Sequence, residues 1–403
     1  MSAIVIVGAG LAGASAAGAL REQGFDGDLV LLGAEPMPPY ERPPLSKEYL
    51  RGESDHHLVR EPDWYADNAV DARFGVRARR VNVAERVVEL DEGDPVRFDQ
   101  VVIATGSRNR HPSLPGIDLP GVFDLRFAPD ADAIKAAAAA GSKAVLVGMG
   151  FIGAEVAASL RLLGLDVTVV EFFGTTLERV LGPELGRAIE GLHRDHGVEM
   201  HFHEGAERFE GDGRFEALVT TEGRRVEADF ALVGVGVEPV TDVAGDDVPV
   251  DNGIPVDATL RTATEGVWAI GDVARHDHPV FGPVRVEHFD NAVKMGEHVA
   301  TNLLGADEVF DDPHWFWSDQ YDVNIQMAGF ATEWDDTVVR GSIEDRSFSA
   351  FLLKEGQLLS TFSMNRKFDV RRSMPLIAAS MRPDRALLAD PEFDLRELHP
   401  EKG

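Results

Sequence analysis

Apolar and polar positions alternate with two different periods along this chain, and the switch between them marks its elements. Near the start, an unbroken β-branched run, Ile4 to Val7, gives way to Gly8-x-Gly10-x-x-Gly13 and then to a small-residue helix. A second apolar run, Leu29 to Leu32, follows. This spells strand, tight turn, helix, strand. The pattern returns further on: a strand at Ala144 to Val147, glycines at 148, 150 and 153, a helix to about Leu163, and a strand at Val167 to Val170. Two more apolar strands break into loops at Ala104-Thr105-Gly106 and Gly234-Val235-Gly236, and read as closing strands of the two units. Another ends at Gly271-Asp272. The alanine run Ala136 to Ala140 reads as the end of a surface helix. From about Asp311 the period becomes two, as in "FSAFLLKEGQLLSTFSMN", and predicts an antiparallel sheet. A helix from about Val370 to Ser380 follows it. The fold class is α/β, with two Rossmann-type domains and a C-terminal α+β domain.

The glycine arrays have separate tasks: a tight turn, close approach of backbone to a pyrophosphate, and close helix–strand packing. The helix N-terminus then stabilises phosphate. One such hexamer is an ordinary strand-to-helix turn as readily as a binding site; two, each followed by a strand ending near an acid, point to dinucleotides. Glu171 ends the second strand, 18 residues after Gly153, where a carboxylate accepts ribose hydroxyls and repels a 2′-phosphate. Arg179 is the nearest basic residue downstream, so NADH is favoured over NADPH. In the first unit Ala34 stands where an acid is expected and Glu35 is next. Asp272, at a later strand end, suits either the ribityl hydroxyls of FAD or an N-cap. The reading is FAD in the first unit and NADH in the second.

Composition narrows the partners. Lys+Arg 39 against Asp+Glu 69 gives a net charge of −30, which disfavours nucleic acid and anionic membrane. Cysteine is absent, so no thiol catalysis, disulfide or cysteine-ligated metal is expected of this chain, and a cytoplasmic setting fits. Met1 to Leu20 carry no charge, but glycines at 8, 10, 13 and 18 interrupt them and no basic region precedes them; neither a signal peptide nor a membrane helix is expected.

One segment fits no nucleotide motif. "PPYERPPLSKEYL", Pro38 to Leu50, holds four prolines and reads as a stiff loop entering a helix near Ser46, presenting Lys47.

Together "VIVGAGLAG", this proline segment, "VIATGS", "VGMGFIGAE", "GVGVEP", "AIGDVA", "EHFDNAVKMGEHVA" and "FWSDQYD" resemble the FAD-dependent, NADH-linked ferredoxin reductases of oxygenase systems, over nearly the whole chain. The resemblance implies a glutathione-reductase-like fold: an FAD domain at 1–111 and 239–310, an NADH domain at 112–238, and a C-terminal domain at 311–403. It implies FAD contacts at Gly8, Gly10, Ala12, Gly13, Glu35, Arg42, Lys47, Val81, Ala104, Thr105, Gly106, Arg126, Gly271, Asp272, Glu287, His288, Phe289 and Trp317. It implies an NADH site of Gly148, Gly150, Phe151, Ile152, Gly153, Glu155, Glu171, Gly234, Val235 and Gly236. Lys47 is expected to pair with Glu155 near the flavin, and Trp317, with Trp315 beside it, to cover the flavin edge. These three, Lys47, Glu155 and Trp317, are the catalytic candidates; no metal is implied. Without a cysteine pair, electrons must pass to an external acceptor, a [2Fe-2S] ferredoxin feeding a P450 or Rieske oxygenase. An acidic ferredoxin needs a local basic patch. Arg366, Lys367, Arg371 and Arg372 offer one, while Arg73, Arg77, Arg79 and Arg80 read as a solvated face. A monomer or weak homodimer is expected. The rival readings are an NADH oxidase, and an NADH-sensing flavoprotein related to apoptosis-inducing factor.

Overall fold

The computed structural model describes residues 2–400, and the chain divides into two compact units. The first comprises Met1–Glu41, His57–Arg108 and Glu238–Phe316; the second comprises Arg42–His56, Asn109–Val237 and Trp317–Gly403.

The first unit is built on a parallel sheet of five strands, in the order Val267–Ala269, Gln100–Ile103, Ala3–Val7, Asp28–Gly33, Val70–Phe74. Ile4, Val5, Ile6 and Val7 are buried on both faces, which is why this strand reads as a continuous apolar run rather than an alternating one. The helix Leu11–Glu22 crosses back over the sheet and lies against the helix Phe289–Leu303. The small residues allow that approach: a Cβ on Gly296 would stand 2.6 Å from the Ala12 carbonyl oxygen. Ala104-Thr105-Gly106 does follow an apolar strand beside the first one, but the sheet continues past it to the short strand before Gly271-Asp272.

The second unit repeats the plan, with strands in the order Glu199–Phe202, Asp166–Glu171, Lys143–Val147, Phe230–Val233, Val122–Phe123, all parallel. Its C-terminal part carries the antiparallel ladder: Val323–Gly329 pairs Gln357–Met364, which pairs Ser347–Lys354, which pairs Asp336–Ser342. The helix runs Lys367–Ala378, starting three residues earlier than the sequence pattern suggests. Arg340 is buried beneath it, 3.5 Å from Asp369, with Nη2 donating to the carbonyls of Pro391 and Phe393. That ties the C-terminal tail to the sheet.

The proline segment departs from expectation. No α-helix begins at Ser46. Pro43–Ser46 is one 3-10 turn, and Lys47 closes it with φ −124° and ψ −114° before a run of turns. Consecutive prolines at 43 and 44 supply no N–H, and the Leu45 and Lys47 amides reach back only three residues, to Arg42 and Pro44.

Candidate functional site

Each unit carries a glycine-lined turn at the carboxyl end of its sheet, and the two have the same geometry. In the first, Gly8 has φ +115°, and a Cβ on it would lie 2.2 Å from the Ala104 carbonyl oxygen. A Cβ on Gly13 would lie 2.0 Å from the Gly8 carbonyl oxygen. These two glycines are demanded by the protein's own packing. Gly10 is different: a Cβ there would meet nothing within 4 Å. In the second unit Gly148 has φ +97° with its virtual Cβ 2.5 Å from the Gly234 oxygen, Gly153 has its own 2.3 Å from the Gly148 oxygen, and Gly150 faces open space. Gly10 and Gly150 are the N-caps of their helices and offer no side-chain cap, and neither first turn contains an acid. The helix N–H groups are therefore left for an outside anion, and both cradles fit a dinucleotide pyrophosphate.

The surrounding residues differ between the cradles. In the first unit the Glu35 carboxylate accepts from the Tyr40 hydroxyl at 2.6 Å, so it is already oriented. Ser107 Oγ donates to Asp272 Oδ2 at 2.6 Å. Asp272 lies within the short 3-10 turn Gly271–Val273, whose N-cap is Ile270, so the N-cap alternative for this acid falls away. Thr105 Oγ1 donates to the Val240 carbonyl and Gly106 has φ +71°, which shapes the loop after Ile103. Val81 is fully buried in the strand Ala78–Asn82. Glu287 pairs with Arg285 at 2.6 Å, yet its carboxyl is pushed up by desolvation. His288 N-caps the helix that Phe289 opens; its Nδ1 is buried without a hydrogen-bond partner, and desolvation lowers the imidazole to about 4. A buried, unpartnered ring nitrogen fits a site built for a polar ligand atom.

In the second unit Glu171 is held by its neighbours. Oε2 accepts from the Met149 amide at 2.6 Å and Oε1 from the Phe173 amide at 2.9 Å. The acid is thus fastened to the glycine turn itself, the position a ribose-binding carboxylate requires. Ile152, Val235 and Phe172 are exposed apolar side chains, with Phe172 at 72%. All three follow carboxyl ends of parallel strands, the edge at which open α/β sheets bind ligands. Phe172 had no motif to announce it.

Lys47 and Glu155 form a buried ion pair, Nζ to Oε2 2.9 Å, with both side chains under a tenth exposed. Ser46 Oγ donates to the same oxygen, and Ser318 Oγ donates to Oε1 at 2.7 Å. Ser159 Oγ donates to the Ser46 carbonyl at 2.7 Å, and Arg51 Nη1 to Ser159 Oγ at 3.2 Å. Tyr49 donates to Asp132 at 2.6 Å and stacks on His56, 4.3 Å between centroids; burial and the Asp132 bond raise its phenol to about 12. So the segment is fixed by an ion pair and three hydroxyl hydrogen bonds, at Ser46 Oγ, the Ser46 carbonyl and Tyr49, as well as by its prolines. The Arg42 guanidinium sits over the Phe127 ring at 5.0 Å. Asp130 caps the turn from Arg126, accepting from the backbone amides of residues 126 and 127. Trp315 and Trp317 alternate with buried Phe316, Ser318 and Gln320 along one strand and stay half-buried on its other face.

The basic candidates separate. Arg366 pairs with buried Asp369 at 2.7 Å and Arg372 lies 4.0 Å from Asp394, while Lys367 and Arg371 are exposed. Arg73, Arg77, Arg79 and Arg80 each stand within 4 Å of an acid.

The family model described as pyridine nucleotide-disulphide oxidoreductase matches residues 2–296, and one described as reductase C-terminal matches 315–399. The chain belongs to the pyridine nucleotide-disulphide oxidoreductases. Within them it falls among the ferredoxin reductases of oxygenase systems. It is 39% identical to rhodocoxin reductase of Rhodococcus erythropolis over 98% of this chain and 93% of that one. It is 37% identical to the ferredoxin–NAD(+) reductase component of the anthranilate 1,2-dioxygenase system of Burkholderia cepacia, over 97% and 98%. Among solved structures it resembles the covalent putidaredoxin reductase–putidaredoxin complex, with a TM-score of 0.95, 31% identity and 98% of each chain covered. The family's name refers to a disulfide, and this member has no cysteine to form one.

Proposed function

We propose that this chain is an FAD-dependent NADH:ferredoxin reductase serving an oxygenase. The observation that carries the reading is the pair of matching cradles, Gly8–Gly13 and Gly148–Gly153, in a chain without cysteine. When bound, FAD supplies the two-electron to one-electron conversion that no side chain here can perform. Gly10, with the helix N-terminus it caps, holds the FAD pyrophosphate; Glu35 and the Ser107-supported Asp272 hold its hydroxyls. Gly150 and Glu171 do the same for NADH, and the Glu171 charge turns away a 2′-phosphate. Phe172 offers its ring face to the adenine. Lys47 and Glu155 serve the reducing step, with Trp317 shielding it from water. The division into FAD, NADH and C-terminal domains belongs to this reading. So does a ferredoxin docking at Lys367, Arg371 and Arg372; Arg366, engaged by Asp369, has the weaker claim. Electrons leave the chain because it holds no redox side-chain pair to receive them.

The experiment is direct. The purified protein should be yellow, be reduced rapidly by NADH and far more slowly by NADPH, and reduce a [2Fe-2S] ferredoxin from a panel. A colourless protein that cannot take up FAD ends the reading.

A further inference from the structure

Glu155 is the inner end of a hydrogen-bond chain that the nucleotide motifs do not explain. Ser318 Oγ donates to Glu155 Oε1, so its lone pairs are free to accept, and Gln320 Nε2 donates to it at 3.2 Å. The Gln320 amide oxygen must then accept, and its partner is His193 Nε2 at 3.0 Å. That makes His193 the Nε2–H tautomer and leaves Nδ1 to accept from the Tyr321 hydroxyl at 3.2 Å. Tyr321 in turn stacks on the His196 ring, 3.6 Å between centroids and 11° apart. Ser318, Gln320 and His193 are fully buried, and burial lowers the His193 imidazole to about 4, so at neutral pH it is one neutral tautomer. Every donor in the series stands on the far side of its acceptor from Glu155. The bond dipoles therefore all point the same way and reinforce one another at the carboxylate.

We propose that Tyr321, His193, Gln320 and Ser318 are positioning residues, a one-way relay that fixes the Glu155 carboxylate and through it the Lys47 ammonium. The inference rests on the reading that Glu155 serves NADH oxidation. The relay fills Oε1, Lys47 and Ser46 fill Oε2, and so no other rotamer of Glu155 satisfies its buried charge. The relay joins the helix Phe151–Leu162 to the helix Glu178–Asp195 and the strand Trp315–Gln320. It gives the "SDQY" stretch a task separate from that of its tryptophans.

The test has two arms on the FAD-loaded protein. In the first, nitrogen NMR of ¹⁵N-histidine protein, assigned by the signal lost in His193→Gln, should show the Nε2–H tautomer. Glu155→Gln, three hydrogen bonds away, should shift that resonance pair; an Nδ1–H tautomer, or shifts that ignore Glu155→Gln, would overturn the relay. In the second, NADH–ferricyanide turnover is measured. Gln320→Leu should lower kcat about tenfold with KM nearly unchanged, and Ser318→Ala, the smaller change if the first fails to fold, should match it. Neither should add to the loss in a Glu155→Gln background. Full additivity there would also overturn the relay. If Glu155→Gln leaves turnover intact while the NMR coupling holds, the relay stands and the role assigned to Glu155 is what fails.

Discussion

Mild acid should weaken this protein by an amount its buried histidines set. His193, His276, His278 and His314 are each within about 1% of complete burial, and burial lowers all four. His276, His278 and His314 also crowd one another, with centroids 5.3 Å and 5.0 Å apart for the pairs through His278. For His193 and His276 the folded value is about 4. The unfolded value is roughly 6.5, so the folded state binds fewer protons. Stability is complete above the unfolded value, is lost as pH falls through it, and the loss saturates below about 4. At pH 5 the unfolded ring is almost wholly protonated and the folded one almost wholly neutral, a cost of about 2 kcal/mol per histidine. These two alone give about 4 kcal/mol, and His278, His288 and His314 add in the same sense. Asp124, Glu287 and Asp290 oppose it, because burial raises them and they gain stability on acidification. A net fall of about 2 kcal/mol or more between pH 7 and pH 5 is expected, large against the 5–15 kcal/mol of a typical fold. Urea unfolding followed by circular dichroism at pH 7, 6 and 5, at constant ionic strength, measures it. His276→Phe keeps an aromatic ring against Phe310, 5.5 Å away, and should recover about 2 kcal/mol of the loss. A midpoint that is flat or rises toward pH 5, or variant and parent curves that run parallel, would refute the reasoning.

The remaining predictions concern the cradles and the ion pair. Gly10→Val should fold with a near-normal midpoint and lose FAD on gel filtration, whereas Gly13→Ala, whose methyl meets the Gly8 carbonyl, should lose stability by several kcal/mol, on the order of other strained core insertions. Gly150→Val should keep its flavin and raise KM for NADH at least tenfold. Glu171→Ala should narrow the NADH-over-NADPH preference, about tenfold in the ratio of kcat/KM; an unchanged ratio would remove this acid from the ribose site. Lys47→Met leaves the buried Glu155 without its cation and should cost about 3–5 kcal/mol in stability as well as slowing flavin reduction in stopped flow. Arg371→Glu with Arg372→Glu should weaken ferredoxin reduction and spare NADH-to-ferricyanide turnover; equal loss of both would sink the docking surface.

What the sequence made legible followed from local geometry. Both glycine turns, their strands and Glu171 could be read directly, because a strand-to-helix turn imposes its requirements within a dozen residues. The glycines carry two demands that the sequence writes with one letter. Gly8 and Gly13 are small because carbonyl oxygens of this chain stand against them; Gly10 and Gly150 are small with only open space beside them. Only the fold separates a glycine required by packing from one with open space beside it. The helix expected after Ser46 does not form, because the Lys47 backbone, at φ −124° and ψ −114°, leaves the helical region and ends the 3-10 turn Pro43–Ser46 there.

The surroundings of Glu155 were legible only through family resemblance, and then only as far as Lys47. Its partners lie at 46, 47 and 318, and the chain beyond Ser318 returns to 193. No periodicity links positions so far apart, and serine, glutamine and tyrosine in "FWSDQYD" look like an ordinary strand with one polar face. Burial reverses that reading. Ser318 and Gln320 face inward and the tryptophans do not, the opposite of what hydrophobicity alone would assign to an alternating strand. An inverted strand of this kind, polar residues in and tryptophans half out, places its hydrogen-bonding groups where only another buried polar group can satisfy them. Here that group is the carboxylate paired with Lys47, so the inversion is itself the sequence mark of the site, readable once the strand's inward face is known.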